Sequence, residues 1–122
     1  MGTFSVSIEV GDPPAQRWTP MQALVDSGST YTWVPSDALQ ALGVVPQGRR
    51  EFETAGDEVI EREIGETRVR LNGEVLTTLV VFAGEGSAPL LGAVTLEQFS
   101  LAVDPVHRRL VPVRALAMHL GT

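Results

Sequence analysis

The sequence predicts an all-β fold, and three observations carry the prediction. Phe4, Val6, Ile8 and Val10 alternate with Ser5, Ser7 and Glu9, the period of two that suits a half-buried strand. Turn-forming groups such as Gly11-Asp12-Pro13-Pro14, Asn72-Gly73 and Asp104-Pro105 recur between short apolar runs. Only two stretches, 36–42 and 94–99, suit a helix, and both are short. Short strands with a turn roughly every ten residues mean a barrel or a sandwich.

In chain order, the first strand runs to Val10 and ends at the Gly11–Pro14 turn. Trp18 to Val25 forms the second. Ser36 is placed to cap a helix through Leu42, with Gly43 as its left-handed exit residue. Phe52 to Ile64 is charged and loosely alternating, and Thr54-Ala55-Gly56-Asp57 interrupts it like a hairpin tip. Gly56 is the residue expected to take a positive φ there. Asn72-Gly73 between Thr67–Leu71 and Val75–Phe82 is a strong signal for a two-residue turn. A loop at Gly84–Ser87 leads to Pro89-Leu90-Leu91-Gly92 and then to the helical turns of 94–99. Leu101–Val103 and Leu110–Val113 form a last hairpin.

Composition narrows the function. The 122 residues fit one domain, taken as 1–122, and 43% hydrophobic content is that of an ordinary globular chain. The net charge of -6 argues against a nucleic-acid partner, which needs clustered positive charge. All nine basic residues are arginine, which removes lysine chemistry. The absence of cysteine removes thiol nucleophiles, disulfides and thiolate metal sites. No basic segment leads into an apolar one at the N-terminus, and the longest apolar run, Leu79 to Ala83, is too short to cross a bilayer. A cytoplasmic protein with no membrane partner is expected.

Most candidate motifs are weak. Gly84-Glu85-Gly86 has Pro89 where a dinucleotide loop needs its third glycine. His107 and His119 show no metal-ligand spacing, and no metal or other cofactor is expected. Ser27 and Ser29 lie outside any G-x-S-x-G nucleophile turn. Asp26 is different. It follows Ala23-Leu24-Val25 directly, so a carboxylate stands at the mouth of a core strand, which is costly without donors around it. Ser27, Ser29 and the backbone around Gly28 can supply those donors. A turn aspartate bonded to its own backbone is the plain alternative.

Asp26-Ser27-Gly28-Ser29 resembles the D-[ST]-G-[STA] active-site loop of the aspartic proteases, and the flanking Leu24-Val25 and Trp33-Val34-Pro35 fit it as well. Leu90-Leu91-Gly92 before a short helix resembles that family's second signature, and 52–64 stands where its members carry a flap hairpin. With one aspartate motif in 122 residues, the chain is similar to the single-lobed, retropepsin-like group. The resemblance implies a small closed barrel with a flap and one or two short helices. It also implies an aspartic endopeptidase acting on polypeptide as a homodimer. Asp26 would be the catalytic carboxylate. Ser27 would bond across the dimer axis, Gly28 would leave room for substrate backbone, and Ser29 would donate to the outer carboxylate oxygen. Ala55, Gly56 and Asp57 would form the flap tip, and Leu91 and Gly92 would pack beneath the active-site loop.

Two positions depart from the viral pattern: Thr30 replaces a second aspartate and Ala93 an arginine, so the ion pair those residues form is missing. The stretch after Phe99 is also longer than in the viral enzymes. In such a site two facing carboxylates share one proton; one activates a water and the other protonates the scissile carbonyl oxygen. One chain has one such aspartate, so two chains must combine, with the Phe4–Val10 strand and the hairpin ending near Val113 as candidate interfaces. A dimeric binding module with little peptidase activity is the alternative reading.

Overall fold

The computed structural model describes residues 4–117, so His119 lies outside the described residues. Strand β1 (Ser5–Gly11) pairs antiparallel with β2 (Trp18–Val25), from Ser5 against Leu24 to Gly11 against Trp18. β3 (Thr32–Pro35) runs into helix α1 (Ser36–Ala41). β4 (Gly48–Glu53) and β5 (Val59–Leu71) form the charged hairpin, and β5 turns at Asn72-Gly73 into β6 (Glu74–Ala83). β7 (Leu90–Leu91) leads through Gly92 into α2 (Ala93–Gln98), followed by β8 (Leu101–Asp104) and β9 (Arg109–Pro112). The fold is all-β.

Seven strands lie in the order β1-β2-β7-β3-β6-β5-β4, and β1 also pairs with β5 through Glu9 to Gly11. That second pairing closes six strands into a ring, with β4 added outside it. The inward residues follow the expected alternation: Ile8 and Val10 from β1, Ala23 and Val25 from β2, with Val69, Val80 and Leu91 against them. Leu39 of α1 and Leu96 of α2 are buried in the same core. No helix of the described residues is long and apolar enough to cross a membrane.

Several expectations change in detail. Ser36 does not cap α1: Pro35 occupies the cap position with extended backbone, and no side chain bonds the helix start. The strand runs straight into the helix, so Ser36 is already its first residue. Gly43 does take the left-handed exit, with φ +74°. The Asn72-Gly73 turn has both residues at positive φ, 52° and 82°, as a two-residue hairpin of matching twist requires. At the 54–57 tip, however, Asp57 and not Gly56 takes the positive φ, 63°. Aspartate tolerates that conformation because its short side chain can bond locally.

The Gly11–Pro14 turn holds a buried carboxylate. Asp12 is 5% exposed and accepts hydrogen bonds from the N–H groups of Gln16 (2.7 Å) and Arg17 (2.9 Å), with the Arg17 guanidinium at 3.5 Å. Chiefly the Arg17 N–H, helped by Gln16 and the guanidinium, lowers the Asp12 carboxyl below its ordinary value, although burial opposes the shift. The ionised form therefore stabilises the fold fully above about pH 4, and that contribution is lost as pH falls through the lowered folded value. Urea unfolding of Asp12→Asn is expected to show less loss of stability between mildly and strongly acid pH than the wild type. An identical acid loss in the two proteins would assign the acid sensitivity to other groups.

Candidate active site

The end of β2 is held from both sides. Val25 N–H donates to the Phe4 carbonyl (2.8 Å), and Asp26 N–H donates to the Leu91 carbonyl (3.0 Å). Leu91 pairs with Val25 in parallel register, and Leu90 pairs with Trp33 of β3. The loop between β2 and β3 thus rests on β7, the short strand that precedes Gly92. Asp26 is only part-buried there. Its Oδ1 accepts the Gly28 N–H at 3.0 Å, and its carbonyl accepts the Ser29 N–H at 3.1 Å, so the loop closes on itself around the carboxylate.

Beneath the loop lies the start of α2. Ala93 N–H donates to the Ser29 carbonyl (2.8 Å) and Val94 N–H to the Thr30 carbonyl (2.9 Å). Gly92 N–H donates to Thr32 Oγ1 (3.1 Å), which donates to Thr95 Oγ1 (2.6 Å), and Thr95 shares a bond with Thr78 (2.8 Å). All three threonines are at most 1% exposed. This buried hydroxyl chain ties β3, β6 and α2 together under the loop, and every bond in it is made in a dry environment where an orphan would be costly. Its sequence signal was only a set of threonines within otherwise apolar segments.

Gly92 is packed too closely for any side chain. A Cβ there would meet the Tyr31 carbonyl group, 2.5 Å from its carbon, and the Ser29 carbonyl oxygen at 2.9 Å. Leu91 and Gly92 therefore do pack beneath the Asp26 loop. Ser29 differs from expectation: its hydroxyl donates to the Tyr31 carbonyl (3.1 Å) rather than to the Asp26 carboxylate. Ser27 and Gly28 are exposed on the outer side of the loop.

A groove of about 430 Å³ opens beside the loop, between Gly28–Tyr31 with Trp33 on one wall and Arg50–Glu53 of β4 on the other. Phe52 packs edge-on against Trp33, with ring centroids 4.9 Å apart, and against Tyr31 at 6.3 Å. Arg50 lies over the Tyr31 ring and donates to its hydroxyl at 2.8 Å. The hairpin thus faces the Asp26 loop through its strand β4, while its tip residues Ala55, Gly56 and Asp57 are exposed and do not line the groove. Arg50, Phe52 and Tyr31 were not singled out in the sequence; an aromatic residue within a charged strand was the available signal. The described residues hold no cluster of His, Cys, Asp and Glu suited to a metal.

The family model described as aspartyl protease matches residues 6–95, from β1 to the start of α2, and so includes both the Asp26 loop and Gly92. The chain belongs to the aspartyl protease family. Within that family the fold is retropepsin-like. The simian foamy virus protease is similar at 18% identity and TM-score 0.58, covering 79% of this chain and 94% of that one. The retroviral protease-like domain of Ddi1 from Leishmania major is 18% identical with TM-score 0.56, covering 92% of this chain and 89% of that one. A retropepsin-like aspartic protease from Rickettsia conorii, 18% identical with TM-score 0.55, covers 84% and 88%. At these identities the likeness is one of fold. No curated protein matches the sequence.

Proposed function

We propose that the protein is an aspartic endopeptidase that works as a homodimer, with Asp26 of each chain facing the other across a twofold axis. The observation that supports this best is the Asp26 loop itself. The family's Asp-Ser-Gly-Ser motif ends a core strand and closes around a part-buried carboxylate, and its Gly28 and Ser29 line the groove of about 430 Å³. In the dimer, two carboxylates about 3 Å apart hold one proton between them. The ionised one takes a proton from water as that water attacks the scissile carbonyl, and the protonated one donates to the carbonyl oxygen. No covalent intermediate forms. Such an interface should bury roughly 2,000 Å² or more.

Of the two candidate interface segments, β1 is already paired with β5 at Glu9–Gly11, which leaves its Ser5–Ile8 half for a partner. β9 pairs only with β8 among the described strands, so its outer edge, with Pro112, is open to one.

Purified protein incubated with unfolded casein is expected to cleave it, and pepstatin is expected to block the cleavage. Activity should peak below neutrality and fall on both sides, as the pair becomes fully protonated or fully ionised. Cleavage that ignores pepstatin, or a rate flat from mildly acid to alkaline pH, would remove the paired-carboxylate mechanism. A binding module with little turnover is the second reading. It is favoured by the Ser29 hydroxyl, which serves Tyr31 instead of the carboxylate.

A further inference from the structure

Thr32 of β3, Thr78 of β6 and Thr95 of α2 meet out of reach of water beneath the Asp26 loop. A hydroxyl has one proton to give and two lone pairs with which to accept. Thr32 Oγ1 accepts the Gly92 N–H and gives its own proton to Thr95 Oγ1, which shares a bond with Thr78 Oγ1. Valine has nearly the shape of threonine, and replacing every partner of a buried polar contact by an apolar isostere can be almost neutral for stability. Such a replacement would still leave the Gly92 N–H, which belongs to the backbone and is buried. That donor calls for a hydroxyl at position 32. The proton of that hydroxyl calls for an acceptor at 95, and Thr78 carries the chain on to β6.

The stretch that Thr32 holds is the one on which the loop rests. The Leu91 carbonyl accepts the Asp26 N–H, and the Ala93 and Val94 N–H groups donate to the Ser29 and Thr30 carbonyls. Between these bonds Gly92 lies against the backbone of Ser29 and Tyr31, too close for a Cβ. Residues 91–94 therefore carry the loop at positions 26, 29 and 30. The Thr32 hydroxyl in turn fixes Gly92 relative to β3. The line from the threonines to the carboxylate is short and made of hydrogen bonds throughout.

We infer that Thr32 and Thr95 are positioning residues for the Asp26 carboxylate, acting through Gly92 and without touching substrate. The inference deepens the proposed function, and its kinetic half rests on that reading. Without an acceptor at 95, the Thr32 hydroxyl turns its proton elsewhere, and the lone pair facing Gly92 turns with it. Residues 91–94 are then free to shift under the loop. Misplacing a catalytic group by about 1 Å can lower a rate about a hundredfold. Thr78 stands one bond further from Gly92 and should matter less.

Thr95→Val keeps the branched shape and removes the hydroxyl, whereas Thr95→Ser keeps the hydroxyl and removes the methyl. In Thr95→Val the amides of Asp26, Gly92, Ala93 and Val94 should exchange with deuterium about tenfold faster, the effect of one lost buried hydrogen bond. Thr78→Val should show the same pattern at smaller size, and Thr95→Ser should keep wild-type rates. Gly73→Ala serves as the control, because it strains the β5–β6 turn at φ +82° and Gly73 does not line the groove. It should speed only those amides that exchange by global unfolding. With casein, Thr95→Val should lower kcat about tenfold and leave KM within about twofold, since neither Thr32 nor Thr95 lines the groove. Thr95→Ser should restore kcat. Unchanged exchange at the four amides in Thr95→Val, or equal acceleration there in Gly73→Ala, overturns the inference. So does a Thr95→Ser variant as impaired as Thr95→Val. A wild type that cleaves nothing would defeat the peptidase reading instead, and the exchange rates would still decide whether the threonines hold the loop.

Discussion

Asp26→Asn protein is expected to fold and pair as the wild type does and to hydrolyse no peptide bond. Asparagine keeps an oxygen for the Gly28 N–H, so the turn at 3.0 Å survives, but it can neither take nor deliver the proton that the reaction moves. In the proposed dimer it would also remove the repulsion between two facing carboxylates, so the mutant dimer should be no less stable near neutral pH. Mixing mutant and wild-type chains under exchange, at constant total protein, then shows whether one site needs two chains. A mixed dimer has a single aspartate and should be inactive. With random pairing, activity follows the square of the wild-type fraction, and an equal mixture keeps about a quarter of it. A complete site in each chain would give about half. A linear dependence, with exchange confirmed separately, would end the shared-site proposal.

Gly92→Ala is the substitution expected to harm the fold most for its size. Gly92 has φ -98° and extended ψ, so backbone strain is not the reason. The reason is space: the added methyl would collide with the carbonyl groups of Tyr31 and Ser29, which are loop backbone and cannot swing aside as a side chain could. Relief requires α2 to move away from the loop. That movement would stretch the bonds from Ala93 and Val94 to the Ser29 and Thr30 carbonyls and the bond from Gly92 to Thr32. Overpacking together with strained buried hydrogen bonds should cost about 3 kcal/mol or more. Activity should fall with it, because the same loop carries Asp26. Gly73→Ala is a useful contrast. Nothing lies within 4 Å of its would-be Cβ, and only its φ of +82° resists, for about 1 kcal/mol. Urea unfolding of the two variants compares them directly. Equal losses would mean that the loop and helix can part easily, and that Gly92 does not support the site.

The legible part of this protein was the part whose causes are local. Strands with alternating side chains, as in 4–10, and strands that end in special turn residues, as at 72–73, announce themselves through neighbours two and three positions away. Trp18–Val25 emerged with the limits expected of it. The Asp26 motif was legible for a related reason. A carboxylate after three apolar residues contradicts its own surroundings, and the contradiction is visible in one dimension. The charged hairpin was placed correctly, but β4 begins at Gly48, earlier than Phe52, because an outermost strand with charges on its exposed positions has no apolar alternation to mark its start.

Distance along the chain hid the rest. β7 is two residues long, too short to carry any pattern, and it exists only because β2 and β3 present edges on either side of it. Ring closure depends on three residues of β1 meeting β5, about sixty positions away in sequence. The threonine chain from Thr32 through Thr95 to Thr78 likewise joins three separate elements, and nothing near any one of them reveals the others. The left-handed residue of the tip went to Asp57 because the 53–59 register sets which residue must turn. The same register set Arg50 against Arg62. The amino-acid sequence alone determined an all-β chain with one aspartate placed against the rules of its strand. Only the folded chain decided which carbonyls that loop rests on, and that Arg50 and Phe52 of the hairpin line the groove beside it, because those relations follow from contacts between segments apart in the chain.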